Sequence, residues 1–298
     1  MKYPRWFWGA FGAPGILWVA LFFVVPVYTI LAIAMGRPDP IFLDPNPTWN
    51  PLEWDVGAFE TVFSLFGPGE TFYVVFVRTF AYVAIALVLS LAIGYPVAYF
   101  IARHGGRWKT LLLIGLVAPF WISYLMRMLA WVNLLQDDGY VNRSLMWLNV
   151  IDAPRAWLDG RASTVILGLV YGYVPFLILP LYAALDQIDK SLLEAARDLG
   201  AGRFQTFRRV TLPLSKPGIL AGSVIIALPM FGDYYTPDIV SGAPQTSLIG
   251  NQIDLYFHYG GQPTIGAAIT VILAAFLTVL MAYYLWSVHR AQRDVPAV

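Results

Sequence analysis

From Trp6 to Gly36 the chain carries no charged side chain. Such a run exceeds the roughly 7–15 apolar residues of a signal-peptide core. Ala32-Ile33-Ala34 mimics a cleavage site, but the length before it favours an uncleaved first membrane helix. A crossing needs roughly 20 apolar residues, and further runs of that kind follow. They are centred on Thr79–Ala102, Thr110–Leu135 and Thr164–Leu185, then start at Pro217, then lie within Tyr259–Val288. The expected fold is all-α: a polytopic membrane protein with six transmembrane helices. Composition agrees, with 58% hydrophobic and 12% charged residues where soluble domains carry about 25% charged.

Several function classes fall away. A net charge of +1 excludes a broadly basic nucleic-acid binder. The absence of cysteine removes disulfides, Cys-ligated metals and thiol catalysis. No G-x-x-x-x-G-K-[ST] phosphate loop is present, so ATP hydrolysis by that route must come from another chain. His104, His258 and His289 have neither metal nor acid–base spacing, and no G-x-S-x-G motif occurs. An enzyme, a metal site and a bound cofactor are therefore not expected. The lack of an internal repeat weighs against the inverted-repeat secondary transporters.

Orientation follows from Lys and Arg in short loops. With the N-terminus inside, thirteen lie on the cytoplasmic side: Lys2, Arg5, Arg103, Arg107, Lys109, Lys190, Arg197, Arg203, Arg208, Arg209, Lys216, Arg290 and Arg293. Four lie outside: Arg37, Arg143, Arg155 and Arg161. Both termini, and the polar stretch 186–216, are thus expected in the cytoplasm.

That stretch has internal design. Ser191-Leu-Leu-Glu194 has capping-box spacing. Leu192, Leu193, Ala195, Ala196 and Leu199 give a short helix an apolar face, and Gly200 suits a left-handed cap. A second helical piece is expected over Arg203–Val210, with Phe204 and Phe207 at i,i+3, closed by Leu212-Pro213. The residues alone also fit an amphipathic helix lying on lipid.

Glu194-Ala195-Ala196, Gly200 and Val210-Thr211-Leu212-Pro213 resemble the EAA loop of permeases in binding-protein-dependent ABC importers, at every fixed position of that pattern. Pro119-Phe120-Trp121 with Arg127, Gly139–Asn142 and Gly250-Asn251 extend the likeness to the first permease subunits of bacterial spermidine/putrescine importers. It covers roughly Phe72 to Trp286; the outer segment 37–70 resembles them less. The resemblance implies a subunit in the bacterial cytoplasmic (inner) membrane. Its implied partners are a second related permease, two copies of a cytoplasmic ATPase and an extracytoplasmic solute-binding protein. It also implies that the Glu194 helix docks in a cleft of the ATPase. The implied cargo is a polyamine or similar organic cation. Another small solute on the same machine, or an ATP-independent channel or ion-coupled transporter, stands as the alternative.

Charges inside a membrane each need a reason. On straight helices Arg127 lies roughly 25 Å along the third and Asp233 roughly 24 Å along the fifth, at similar outer depth, with Arg78 in the same layer. Either Arg127 and Asp233 pair, or Arg127 snorkels to headgroups, or Asp233 faces a pathway and meets a cation beside Tyr234 and Tyr235. Trp121, Tyr124 and Trp131 read as belt or packing residues. Pro217, Pro229 and Pro237 with Gly218, Gly222 and Gly232 would let the fifth helix kink, approach closely and rock. Asp238 and Asp254 read as solvated. The expected organisation is an N-terminal helix and outer loop over 1–71, a five-helix permease core over 72–288 containing the coupling loop 186–216, and a tail over 289–298.

Overall fold

In a computed structural model, residues 5–37 and 45–293 are described, with side chains over 11–37 and 45–286. Lys2, Asp39, Asp44 and the end of the tail lie outside the described residues. The fold is all-helical there, with no strand among the described residues.

The chain opens with α1 (Arg5–Val19), which passes through a π-helical turn into α2 (Val25–Ala34). A short helix, α3 (Gly57–Ser64), precedes the long α4 (Thr71–His104). Then come α5 (Lys109–Val117), α6 (Tyr124–Leu135), α7 (Tyr140–Trp147) and α8 (Ala162–Asp186). The polar stretch holds α9 (Lys190–Asp198), α10 (Arg203–Thr206) and α11 (Leu212–Leu214). After α12 (Lys216–Phe231) follow α13 (Tyr235–Val240), α14 (Ile249–Asp254) and α15 (Pro263–Arg293).

Among the described residues, four helical stretches are long and apolar enough to cross a membrane: Phe11–Ala34, Thr71–His104, Ala162–Asp186 and Pro263–Trp286. Two bent pairs raise the number to six if each is one span. One is Gly106–Trp121 with Tyr124–Leu135, bent by 88°. The other is Arg203–Leu214 with Lys216–Phe231, bent by 59°. The expected straight third helix is therefore corrected, and with it the depth assigned to Arg127. Pro119 lacks the N–H that would continue the ladder, and its ring crowds the preceding turn. The chain tightens to a 3₁₀ turn over Ala118–Trp121, runs extended at Ile122, and restarts at Tyr124 in a new direction.

Two compact units appear. The first combines Met1–Val74 with Gln252–Thr278. Within it residues 48–55 fold back on the end of α2. Thr48 N–H donates to the Ala32 carbonyl at 3.0 Å, Asp55 N–H to that of Met35 at 2.9 Å, and Arg37 meets Asp55 at 2.8 Å. The Tyr28 hydroxyl donates to the Trp49 carbonyl at 2.5 Å.

The second unit, Val75–Asn251 with Val279–Val298, is organised on α8. Val165, Leu169, Leu177, Ile178, Leu181 and Leu185 of that helix are fully or almost fully buried. Helices α5, α6, α12 and α13 all pack against it. The approach of α12 is closest at Gly218 and Gly222, four residues apart on one face. A Cβ at Gly218 would collide with Ala184 Cβ and lie 2.9 Å from the Pro180 carbonyl oxygen. At Gly222 it would meet Leu177 Cδ1 at 2.8 Å. Between α6 and α8, Asn142 is fully buried. Its amide nitrogen donates to the carbonyls of Gln136, Asp137 and Arg155, and its oxygen accepts from Arg155 N–H and Trp157 Nε1.

Candidate coupling loop and buried carboxylate

The loop after α8 is a helix closed at both ends. Its N-cap is Asp189, whose carboxylate accepts the Ser191 N–H at 2.9 Å. The expected capping box at Ser191 and Glu194 is thus corrected: α9 begins with Lys190, so Ser191 already lies inside its first turn. Hydrogen bonds from the Ser191 backbone N–H and then from its side-chain hydroxyl hold the Asp189 carboxyl below the ordinary aspartate range.

At the other end Gly200 has φ +83°. Gly200 N–H reaches the Arg197 carbonyl at 2.8 Å and Ala201 N–H that of Ala196 at 3.0 Å. These are the paired bonds of a Schellman ending, which favours glycine because φ is positive. The left-handed cap expected from sequence is present.

Between these caps no residue is buried. Glu194 and Ala195 are exposed, Ala196 is half-buried, and Leu199 is 89% exposed. Pro213 is exposed and Leu212 half-buried. Leu192 of α9 is exposed as well. The second expected helical piece is less regular: α10 gives way to a π-helical turn over Phe207–Thr211 before α11. Phe204 and Phe207 do not share a role. Phe204 is 73% exposed, whereas Phe207 turns inward.

The second cluster lies where α12 ends. Gly232 caps that helix, and Asp233 follows in the break before α13, so the expected continuous fifth helix through Pro237 is two pieces. Asp233 is 6% exposed. Its Oδ1 accepts the Thr236 N–H at 3.0 Å, the bond an N-cap makes to a free helix N–H. Its Oδ2 accepts three hydroxyls: Tyr124 at 3.0 Å, Tyr173 at 3.1 Å and Thr236 Oγ1 at 2.6 Å. One carboxylate therefore ties α6, α8 and α13 together. Tyr124, expected as a belt or packing residue, packs with its ring on Tyr173 and also donates its hydroxyl to Asp233. Gly172 makes room for it, since a Cβ there would lie 2.8 Å from the Tyr124 ring and hydroxyl. The spacing Asp233-x-x-Thr236 was a legible capping signal, but nothing local announces Tyr173.

Arg127 is not among these partners. It is 8% exposed, and its guanidinium carbon sits 3.9 Å from the Phe120 ring centre, 5.4 Å from that of Tyr124 and 5.9 Å from that of Tyr171. It makes no ion pair among the described residues, and its Nε and Nη1 are buried without a hydrogen-bond partner. Aromatic faces, rather than Asp233 or a path outward, surround this charge. Tyr124 touches both groups, by its ring to Arg127 and by its hydroxyl to Asp233. Tyr234 and Tyr235 stack on each other with ring centres 4.1 Å apart, and Tyr235 is 47% exposed. Asn251 fastens this segment by donating to the Tyr234 carbonyl at 2.9 Å and to Asp238 at 2.7 Å. Arg78 donates to the carbonyls of Pro244 and Ser247 at 3.0 and 3.1 Å. Among the described residues no group of acidic or imidazole side chains is arranged to hold a metal.

Residues 94–293 match the family described as binding-protein-dependent transport system inner membrane component. The chain belongs to that family. It is an inner-membrane permease subunit of an ABC importer, a transport component and not an enzyme. The permease is 41% identical over 206 residues to the spermidine/putrescine transport system permease protein PotB of Escherichia coli K12, covering 69% of this chain and 74% of the relative. It is 35% identical over 276 residues to PotB of Haemophilus influenzae, covering 93% and 91%. Among solved structures, a bacterial alginate ABC transporter in complex with its alginate-bound periplasmic protein superposes with a TM-score of 0.74 over 98% of this chain and 96% of that one. At 20% identity that likeness speaks for the fold alone.

Proposed function

We propose that this permease imports polyamines or similar small organic cations. The observation that carries this reading is its 41% identity to the E. coli spermidine/putrescine permease. In this reading the chain crosses the membrane six times with both termini in the cytoplasm, and pairs with a second, related permease. Two copies of an ATPase dock on α9 through Glu194, Ala195 and Ala196. The caps at Asp189 and Gly200 keep that helix rigid, and Leu212-Pro213 joins it to α12. A solute-binding protein delivers the cargo from outside.

The cluster at the end of α12 has a division of labour. Asp233 already accepts four hydrogen bonds, so it holds the break in shape. The stacked rings of Tyr234 and Tyr235 offer an exposed aromatic face to a passing ammonium group. Arg127, kept among aromatic rings, is a fixed positive charge that disfavours a cation on its side of the cluster.

The test is uptake of labelled spermidine by the complex reconstituted with its ATPase and binding protein. Saturable, ATP-dependent uptake competed by putrescine is expected. Absence of saturable uptake refutes the cargo; uptake that persists without the ATPase refutes the machine. The variants Glu194→Lys and Gly200→Asp are expected to insert normally yet lose uptake. Wild-type uptake in both would remove α9 from the docking surface.

A further inference from the structure

The coupling loop continues covalently only into α8 and α12, yet it is also fastened to α4. The Phe207 ring lies edge-on to Tyr95, with centres 5.8 Å apart and planes at 86°, and edge-on to Tyr99 at 6.0 Å and 86°. Tyr95 and Tyr99 are four residues apart and share one face of α4. The Tyr95 hydroxyl also bonds Ser215 Oγ at 2.9 Å. Ser215 is fully buried, and its hydroxyl donates to the Leu212 carbonyl at 3.1 Å. These contacts hold the exit of the loop.

Its entry is held as well. Arg103 Nη1 donates to the Ile188 carbonyl at 3.2 Å, and Lys109, just beyond α4, pairs with Asp186. Phe207 opens the π-helical turn Phe207–Thr211, a wide turn of the kind that recurs at functional sites. The exposed Phe204, three residues earlier, makes the contrast plain: one phenylalanine of the segment faces out and the other is wedged between two tyrosines.

We propose that Phe207 is a positioning residue that carries displacement of the coupling loop into α4, so that α4 and the loop move as one body through the transport cycle. A ring wedged between two others resists compression, while the Tyr95–Ser215 and Arg103–Ile188 bonds resist separation. Push and pull on α9 therefore both reach α4, which has no covalent link to the loop on that side. The inference rests on the reading that α9 docks on the ATPase.

The test uses the whole reconstituted transporter and reads three quantities: ATPase co-purified with the permease, ATP hydrolysed, and solute imported per ATP. Phe207→Ala is expected to keep its ATPase and its hydrolysis but to lower solute imported per ATP about threefold or more, within the range of residues in packed coupling chains. Phe207→Tyr, which keeps the ring, restores the ratio. An unchanged ratio in Phe207→Ala overturns the proposal. So does loss of co-purified ATPase in that variant, since Phe207 would then belong to the docking surface. Glu194→Lys, by contrast, reads docking alone through loss of co-purified ATPase; its failure removes the docking reading and leaves the Phe207 ratio to be judged by itself. The natural chain has no cysteine, so Tyr99→Cys with Phe207→Cys gives an unambiguous cross-link. The unbridged pair lacks the wedged ring and is expected to share the lowered ratio of Phe207→Ala; bridging it with a short thiol reagent is expected to raise solute imported per ATP, because the covalent link replaces the ring contact. Uptake abolished by bridging but present in the unbridged pair overturns the proposal, because the contact would have to open in each cycle.

Discussion

Replacing Asp233 by alanine removes the acceptor shared by Tyr124, Tyr173 and Thr236. Tyr124 and Thr236 hydroxyls lie 2.5 Å apart and can still satisfy one another in part. The Thr236 N–H then keeps no partner from this cluster, and the Tyr173 hydroxyl loses its carboxylate and is left with Tyr124 alone. A buried donor left unsatisfied costs about 1–3 kcal/mol and a lost hydrogen bond about 1 kcal/mol, so Asp233→Ala is expected to destabilise by about 2–4 kcal/mol for the two together. Asp233→Asn keeps an oxygen for Thr236 N–H but puts a donor where three hydroxyls donate; one or more must turn away, at about 1–3 kcal/mol. Tyr173→Phe deletes a single bond and leaves the carboxylate its other donors, at about 1 kcal/mol. The expected order of thermal stability of the purified permease is therefore wild type, Tyr173→Phe, Asp233→Asn, Asp233→Ala. The assay is a thermal unfolding curve in detergent, paired with apparent affinity for the transported solute. Wild-type unfolding in Asp233→Asn together with a large loss of solute affinity would refute the argument. It would show that the carboxylate spends its charge on cargo and not on holding three helices.

The two glycines of α12 should respond differently to one methyl group. Gly218→Ala presses on a Cβ and a backbone oxygen that cannot rotate away, and should cost about 1–3 kcal/mol in thermal unfolding; Gly222→Ala meets the buried Leu177 methyl at 2.8 Å, with the Leu177 carbonyl oxygen at 3.1 Å and Pro180 Cγ at 3.2 Å, and should cost less, about 1 kcal/mol, because its contacts are longer and alanine has the better helix propensity. Equal losses in both would contradict the packing described for α8 and α12. For α9, the Asp189 carboxyl is held low in the folded chain, so its capping contribution is complete above the ordinary aspartate range and disappears as pH falls through the lowered value. Amide exchange across Lys190–Asp198, compared with Asp189→Ala at each pH, should show protection that shrinks on acidification; equal exchange in the two proteins at neutral pH would remove Asp189 as the cap.

Much of this permease is legible in its chain because lipid imposes a simple rule: long uncharged runs become helices. Thr164–Leu185 and Thr79–Ala102 fall inside α8 and α4, and Gly200 ends α9 as its residue type requires. The bends were harder. Pro119 and Pro229 signal interruption, but whether a proline kinks a helix or breaks it depends on the neighbours that take up the freed backbone groups. At Pro119 the outcome was an 88° turn, which moved Arg127 off the straight path a helix count gives it.

What the sequence by itself determined is the class of object and the local shape of one loop: apolar runs mark membrane helices, and the Glu194–Pro213 spacing marks a loop whose caps are local. What only the tertiary structure decided is which distant side chains meet. Asp233 and Arg127 invite pairing by charge and depth, yet three hydroxyls from separate segments reach the carboxylate and a ring of aromatics takes the guanidinium. Phe204 and Phe207 look equivalent in sequence, and only the position of α4 separates them. Local spacing is set by backbone geometry, whereas partners more than a turn away are set by how whole helices pack, and a linear pattern carries little of that.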